Sequence, residues 1–306
     1  MQEITIVTAF FDIGRGNIEK SDLKRTNEDY FNYFRFWARI KNQLVVYTEP
    51  MHSKKIMEIR NEFCLGDRTK IVEVENIFEE FPVLYGRMKE ISKNQDFISF
   101  RYYEKAMSNS AEYDYIMLMK YWCMMKTAKD DGSLPLIAWM DFGFNHGGEK
   151  FIHPAEFDFL WKWTYSDKIQ LYSLRDEKTV FSLGSLQLQF DTIMGPIIIA
   201  PAHRCEELWD LVYKAMEALI MLDCIDDDQQ LLLMAVRQNP TLFIIKQSNW
   251  FLPLKECGGE HLTVKTLEKS GNNKKIFNKH CFKKTGKTYR ELYMERINRY
   301  VERYYD

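Results

Sequence analysis

An aspartate follows directly on an apolar run in this chain. The run Leu136-Ile137-Ala138-Trp139-Met140 leads into Asp141-Phe142-Gly143. A carboxylate at the end of a buried strand can meet a divalent cation that is bound to a diphosphate, or it can serve as a turn or N-cap aspartate. The three letters also occur in the kinase metal motif. The chain lacks the glycine-rich loop, the His-Arg-Asp loop and the Val-Ala-Ile-Lys strand of kinases, so that interpretation fails.

A second group of acids, Asp226-Asp227-Asp228, opens a segment with helical periodicity that ends near Arg237. Acids at a helix N-terminus are stabilised by capping and by the helix dipole, which explains one of the three. Three adjacent acids exceed what capping needs. Like charges this close repel, and one carboxyl with a raised pKa would suit a general base.

Two cations occupy positions where they could face an anion. Arg15 lies in the turn of residues 11–17, which contains two glycines and follows an apolar strand. An arginine there can hold phosphate oxygens bidentately or can be a solvated turn residue. Lys120 lies within the apolar helical run 115–122, where it reaches either solvent or an anion in a cleft.

The histidines and cysteines exclude several classes of enzyme. None of the six histidines forms an HxH or HExxH pair, and no Walker A loop or Gly-x-Ser-x-Gly elbow occurs. His146 and His203 follow strand ends, so each could reach a cleft or be an ordinary loop histidine. No two of the six cysteines lie within three positions of each other, which predicts reduced thiols and a cytoplasmic protein.

These residues need elements that position them. Strands predicted at 3–10, 44–48, 70–74 and 136–140 alternate with helices, which indicates a parallel, doubly wound sheet. Ligands bind beyond the carboxyl ends of such strands, so the turn after Phe10 and Asp141 should share a site. Three further predictions are a long helix from about 100 to 128, a helix over 155–165 and a strand over 186–190.

Composition sets the broad class. The 306 residues are 46% hydrophobic and 28% charged with a net charge of −2, which excludes disorder and gives no reason to expect nucleic-acid binding.

Residues 271–306 carry ten basic and four acidic residues, a balance of +6 against −8 elsewhere. A basic amphipathic helix at 290–304 could contact an anionic membrane surface or dock on its own domain. The N-terminus has no signal-peptide pattern, and the apolar run 193–202 is too short to span a bilayer.

Several of these segments together resemble a known family. The stretch from Ile6 to Arg15 (Ile-Val-Thr-Ala-Phe-Phe-Asp-Ile-Gly-Arg) resembles the opening signature of the bacterial HtrL/YibB family. The similarity continues through Asp29-Tyr30-Phe31, 44–48, 139–143 and the acidic triplet, and it covers about residues 3 to 250.

The resemblance implies a GT-A-like (Rossmann-like) α/β fold with a mostly parallel sheet and a C-terminal helical tail. The residues expected at a nucleotide-sugar site are Thr8, Ala9, Phe10, Arg15, Lys120, Trp139 and Asp141. Asp141 would take the place of the metal-binding Asp-x-Asp motif and hold Mn²⁺ or Mg²⁺, with His203 as a second ligand. Gly143 departs from that motif because it supplies no second acid. Asp228, or else Asp227, would be the catalytic base near the acceptor.

The implied activity is transfer of a hexose, such as galactose, from a UDP-linked donor to a saccharide or lipid-linked acceptor in capsule or O-antigen synthesis. The expected organisation is a catalytic domain over 1–255 and a basic linker and helix over 256–306, in the cytoplasm or at the inner membrane face. Two alternatives stay open: a non-catalytic carbohydrate-binding or assembly protein, and a sugar nucleotidyltransferase.

Overall fold

The computed structural model describes residues 1–18, 24–103, 106–147, 150–250 and 252–265, together with a few positions between 291 and 302. Two compact units divide the chain, Met1–Val264 and Lys265–Asp306. The predicted helix at 290–304 and most of the basic tail lie outside the described residues.

Among the described residues, seven strands form one sheet and two short strands form another. In chain order the strands are β1 (Gln2–Glu3), β2 (Thr5–Phe10), β3 (Leu44–Thr48), β4 (Thr69–Glu73), β5 (Leu136–Met140), β6 (Lys162–Trp163), β7 (Ile169–Ser173), β8 (Ile193–Pro201) and β9 (Phe243–Gln247). The large sheet has the order β4-β3-β2-β5-β8-β7-β9, and β1 pairs with β6.

The large sheet is mostly parallel, which confirms the predicted α/β class. Strands β4, β3, β2 and β5 are parallel to one another, and β7 is parallel to β9. Strand β8 is antiparallel to both of its neighbours, β5 and β7. All the other strands of this sheet in the described residues therefore point the same way, and their carboxyl ends share one edge with the beginning of β8.

Helices cover both faces of this sheet. In chain order they are α1 (Asn27–Trp37), α2 (Pro50–Asn61), α3 (Pro82–Lys93), α4 (Gln95–Phe100), α5 (Ala111–Asp130), α6 (Ser182–Leu188), α7 (Cys205–Met221), α8 (Asp228–Gln238) and α9 (Leu252–Glu256). Alternate strand residues enter two separate cores. Val7 and Trp139 lie with α3, α5, α7 and α8, whereas Ile6 and Met140 lie with α1 and α2.

Three predicted elements differ from those observed. The long helix begins only at Ala111, where the Ser110 hydroxyl accepts a hydrogen bond from the Tyr113 amide (3.4 Å) and caps it. The alternating residues at 186–190 are not a strand, because α6 ends there with Gln189 in the left-handed region (φ 53°). Residues 155–165 are not a continuous helix, since a 3₁₀ turn at Pro154–Phe157 is followed by β6.

Candidate functional site

A cavity of about 350 Å³ opens at the carboxyl ends of β2 and β5. Its lining comes from the turn after β2, the first turns of α1, one face of α5 and the segment after β5. The lining residues are Ala9, Phe10, Phe11, Asp12, Ile13, Arg15, Arg25, Asn27, Tyr30, Tyr33, Tyr113, Ile116, Met117, Met119, Lys120, Trp139, Asp141, Phe142 and Gly143. We call this the first cavity. It has the size and the aromatic walls typical of a small-molecule site.

The turn after β2 carries Arg15 to the wall of the first cavity. Gly14 adopts the left-handed region (φ 73°), and its amide donates to Oδ1 of Asp12 (2.8 Å). Nη1 of Arg15 donates to the hydroxyl of Tyr30 (2.6 Å). Burial raises the pKa of Tyr30 although Arg15 opposes the shift, so the phenol stays neutral and accepts this hydrogen bond.

Lys120 lies at the inner end of the first cavity and is 1% exposed. Its ammonium group donates to Oδ2 of Asp228 and to the carbonyl of Gly195 (3.2 Å), and it lies 3.5 Å from Oδ1 of Asp141. Burial lowers the pKa of Lys120, but Asp141 and Asp228 raise it by more, so the net direction is upward. The structure therefore holds a permanent cation at this point of the cavity.

Asp141 follows β5 at the edge of the same cavity. Its amide donates to the carbonyl of Pro196 (3.1 Å), and Oδ1 accepts a hydrogen bond from Nε1 of Trp139 (2.7 Å). The Asp141 side chain is 37% exposed. One carboxylate thus faces the cavity with its orientation fixed by Trp139 and Lys120.

The position of the missing second acid is occupied by an aromatic ring. A Cβ atom on Gly143 would lie 3.1 Å from Cε1 of Tyr30, so the ring fills the space where a side chain at 143 would begin. The described residues contain no group of three or more His, Cys, Asp or Glu side chains arranged to hold a metal. With Oδ1 of Asp141 already bonded to Trp139, this donor set does not fit a resident divalent cation. The Mn²⁺ or Mg²⁺ implied by the resemblance therefore has no complete set of protein ligands among the described residues.

His203 does not lie near Asp141, which corrects the prediction that the two share a metal. Pro201 pairs with Leu136 and Ile197 pairs with Met140, so β8 carries His203 to the opposite edge of the sheet. The length of β5 separates these edges, about 16 Å at about 3.3 Å per residue. There Nε2 of His203 contacts Oδ1 of Asp167 (2.9 Å). The sequence showed a strand end at His203 but not the direction of that strand.

The first acid of the triplet has a structural partner. Oδ1 and Oδ2 of Asp226 accept from Nη2 and Nη1 of Arg101 (2.8 and 2.9 Å), and both side chains are buried. The remaining Arg101 donors bond to Ser108, Asn109 and the carbonyl of Leu186. A buried, bidentate and fully bonded pair of this kind fixes the segment before α8 on α4 and α6.

The other two acids differ in their surroundings. Asp228 is 6% exposed and bonded to Lys120, whereas Asp227 is half-buried and caps α8 by accepting from the Gln229 amide (3.2 Å). Burial raises the pKa of both carboxyls. Asp226 and Asp228 raise that of Asp227 further, and Lys120 opposes the shift at Asp228. Asp227 is therefore the carboxylate of the triplet that most strongly favours its protonated form.

Gly195 allows β8 to approach this group. A Cβ atom at position 195 would overlap the carboxylate of Asp228 and would lie 2.9 Å from Nζ of Lys120. No side chain larger than hydrogen fits between β8 and the pair as it stands.

The structure brings together most of the residues predicted for a nucleotide-sugar site. Ala9, Phe10, Arg15, Lys120, Trp139 and Asp141 line the first cavity. Thr8 is fully buried in β2 and is not among the lining residues, and its hydroxyl has no hydrogen-bond partner in the described part of the chain. The sequence reasoning missed Arg25, Tyr33 and Tyr113, which line the cavity beside Tyr30.

Fold and site together define an α/β protein with a charged, aromatic-lined cavity at the carboxyl edge of its sheet. The sequence model of HtrL_YibB, a family described as bacterial protein of unknown function, matches residues 2–255. The chain therefore belongs to the HtrL_YibB family.

A curated relative and a solved structure are also similar to the chain. Protein HtrL of Escherichia coli strain K12 is 28% identical over 274 residues, which cover 81% of this chain and 90% of that protein. The crystal structure of mouse xyloside xylosyltransferase 1 in its apo form aligns with 79% of this chain and 84% of that chain, at 12% identity and a TM-score of 0.41.

None of the helices within the described ranges combines the length and the apolarity that a bilayer crossing requires.

Proposed function

We propose that this protein is a glycosyltransferase that uses a nucleoside-diphosphate sugar as its donor. The observation that carries the proposal is the placement of Arg15, Lys120 and Asp141 on one aromatic-lined cavity at the carboxyl ends of β2 and β5. A cavity of about 350 Å³ is adequate for a nucleoside diphosphate.

Lys120 and Arg15 would stabilise the leaving group of the transfer. A nucleoside diphosphate gains negative charge as its bond to the sugar breaks, and fixed donors stabilise that charge. Lys120 is held in place by Asp228 and the Gly195 carbonyl, and Arg15 by Tyr30. Both cations are therefore oriented before the donor binds, and neither has to be reorganised during the reaction.

The acidic segment at the start of α8 supplies the base. An inverting transfer needs a carboxylate within about 3 Å of the acceptor hydroxyl to remove its proton. Asp228 and Asp227 are the two candidates from the sequence. The geometry favours Asp227, because Asp228 is 6% exposed and its Oδ2 is bonded to Lys120. Burial and the neighbouring Asp226 and Asp228 raise the pKa of Asp227, which makes its carboxylate a stronger base.

The finer assignment follows from the resemblance. We propose a UDP-linked hexose such as galactose as the donor. The acceptor would be a saccharide or lipid-linked glycan of a capsule or O-antigen pathway, and the protein would work in the cytoplasm or at the inner face of the membrane. The five described cysteines are free thiols, which is compatible with a reducing compartment.

Calorimetry with UDP and GDP tests the donor site directly. We expect at least one of them to bind at concentrations below about 1 mM, a binding free energy of about 4 kcal/mol or more. Absence of binding by either nucleotide at millimolar concentration would overturn the proposal. A panel of sugar nucleotides, scored by release of nucleoside diphosphate, then identifies the donor, and release of pyrophosphate would instead indicate a nucleotidyltransferase.

Substitutions test the roles of the carboxylates. Asp141→Asn, Asp227→Asn and Asp228→Asn should each lower turnover by about 100-fold or more, the usual scale of a lost base or electrostatic group. Asp210→Asn is the matched control, because Asp210 is exposed on α7. Circular dichroism of each variant separates a loss of chemistry from a loss of fold. Full turnover in all three variants would remove this assignment of the site.

A non-catalytic carbohydrate-binding protein is the second candidate. The observation that favours it is the absence of a second acid at Gly143, where the Tyr30 ring fills the space. This candidate predicts glycan binding with no hydrolysis of any donor in the panel.

A further inference from the structure

A second, smaller cavity lies beside the acidic segment. It has a volume of about 50 Å³. Its lining residues are Ser108, Ser185, Gln189, Phe190, Asp191, Asp226, Asp227, Gln229 and Gln230. Asp227 lines this second cavity, while its neighbour Asp228 bonds to Lys120 of the first. The Asp227-Asp228 pair therefore connects the wall of the second cavity with Lys120 in the wall of the first.

Two amide oxygens in the wall of the second cavity have no partner. Gln230 is 5% exposed and its nitrogen donates to the carbonyl of Ser182 (3.3 Å), which fixes the orientation of the amide. Its Oε1 has no hydrogen-bond partner in the described part of the chain, and the same holds for Oε1 of Gln229. A buried acceptor without a donor destabilises the fold, so such a group points to a ligand that supplies the donor.

Two of the donors in the same wall are already used. Nε2 of Gln189 donates to Ser108 and Asn109 (3.2 Å each), and the hydroxyl of Ser185 donates to the carbonyl of Phe190 (3.1 Å). The wall therefore presents mainly acceptors to whatever enters the cavity.

The wall disfavours additional negative charge. Asp226 is neutralised by Arg101, and Asp191 is hydrogen-bonded to the Gln229 side chain and lies near Arg175. Burial raises the pKa of both Asp191 and Asp227, and nearby acids add to the shift while Gln229 and Arg175 oppose it at Asp191. An anionic group would be repelled here, whereas a hydroxyl can donate to the free oxygens.

We infer that the second cavity binds hydroxyl groups of an uncharged saccharide acceptor and discriminates against acidic sugars. This inference rests on the proposed function, because it places the acceptor beside the Asp227-Asp228 pair that bonds to Lys120 of the donor site. A volume of about 50 Å³ admits a few water-sized groups but not a sugar ring. The ring lies outside, and its hydroxyls reach Gln229, Gln230 and Asp227.

Binding of simple glycosides to the full chain tests the inference. The probes are methyl galactoside and the methyl glycoside of galacturonic acid, which share their ring hydroxyl stereochemistry and differ by one carboxylate. Saturation-transfer NMR in the presence of UDP should show the neutral glycoside binding at least about tenfold more tightly, a difference of about 1.4 kcal/mol. Equal binding of the acid would overturn the inference.

Substitution localises the binding. Gln230→Met keeps the length of the side chain but removes the oxygen, and it should weaken binding of the neutral glycoside about tenfold, as expected for one hydrogen bond. Gln238→Met is the matched control, since Gln238 is exposed at the other end of α8. If Gln230→Met fails to fold, Asp191→Asn serves instead, because Asp191 lies at the exposed rim, and it should reduce the discrimination against the acid.

The outcomes separate the two proposals. Failure of the wild-type chain to bind any nucleoside diphosphate refutes the proposed function. Binding of UDP, with the affinity for the neutral glycoside unchanged in Gln230→Met and the discrimination against the acid unchanged in Asp191→Asn, refutes the acceptor cavity alone. Calorimetric binding of Ca²⁺ or Mn²⁺ that Asp191→Asn abolishes, with glycoside binding unaltered, would make the cavity a cation site and overturn the inference.

Discussion

Gly195 and Asp228 approach so closely that a single methyl group on the glycine would overlap the carboxylate. The two residues are on different elements, β8 and α8, and Lys120 bonds to both of them. The position of the buried cation in the first cavity therefore depends on the absence of a side chain at residue 195.

Gly195→Ala should displace Asp228 and Lys120 together. We expect a loss of about 1–3 kcal/mol in the free energy of unfolding, the usual cost of overpacking a filled site. We also expect UDP affinity to fall at least about tenfold, because the ammonium group no longer lies where the diphosphate needs it. Urea denaturation and calorimetry measure the two effects.

Gly86→Ala is the control for this substitution. Gly86 lies within α3, and nothing is within 4 Å of a Cβ placed there. Alanine should stabilise that helix by about 0.5–1 kcal/mol and leave UDP binding unchanged. If Gly195→Ala keeps the stability and the UDP affinity of the wild type, β8 can move away from Asp228 and the prediction is wrong.

Breaking the buried pair of Arg101 and Asp226 should destabilise the fold strongly. Asp226→Asn leaves a buried guanidinium without its counter-charge, at a cost of about 3–5 kcal/mol. Glu62→Gln removes one partner of the more exposed Arg35–Glu62 pair (3.0 Å) and should cost less than about 1 kcal/mol. Chemical denaturation of both variants gives the comparison, and similar losses would contradict the structural role of Asp226.

Asp114 should make stability depend on pH. Its side chain is fully buried, and neither carboxyl oxygen has a hydrogen-bond partner in the described part of the chain. Burial raises its pKa well above the ordinary 3.8. The folded state keeps the proton while the unfolded chain loses it above 3.8, so stability falls as the pH rises from there. Asp114→Asn removes this dependence.

The free energies of unfolding of wild type and Asp114→Asn should therefore diverge with pH. The free energy of unfolding of the variant, relative to that of the wild type, should rise by about 1.4 kcal/mol for each pH unit between 3.8 and the pKa of Asp114 in the folded state. Below pH 3.8 this difference should not change with pH. Urea titrations at about pH 4 and about pH 7.5 measure the gain. A difference that stays constant with pH would show that Asp114 is ionised in the folded protein.

Nucleoside-diphosphate binding should depend little on divalent metal. The first cavity already contains Lys120 and Arg15, and the Asp141 oxygen nearest Lys120 is bonded to Trp139. We expect UDP dissociation constants in EDTA and in Mn²⁺ to agree within about threefold, under 1 kcal/mol. A tenfold or greater gain with Mn²⁺ would show that Asp141 exchanges its indole partner for a metal ion.

The sequence predicts features of this site that depend on neighbouring residues. The apolar strands before Arg15 and Asp141 are visible as local patterns, and parallel strands place both residues at one edge. The partner of Asp226 is not visible, because Arg101 is 125 positions away. The direction of β8 is likewise a tertiary property, which is why His203 was assigned to the wrong edge. The requirement for glycine at position 195 becomes apparent only when Asp228 is known to lie opposite it.

The reversed direction of β8 has a consequence for how the protein is made. The strand is inserted between β5 and β7, both of which precede it in the chain. It brings Gly195 to the edge of the sheet where Asp141 lies. Lys120 and Asp228, 108 positions apart, bond to each other only after that insertion. Contacts between residues so distant in the chain are expected to form late in folding. A chain that stopped before α8 would lack Asp228, which orients Lys120, so the first cavity takes its described form only once α8 is in place.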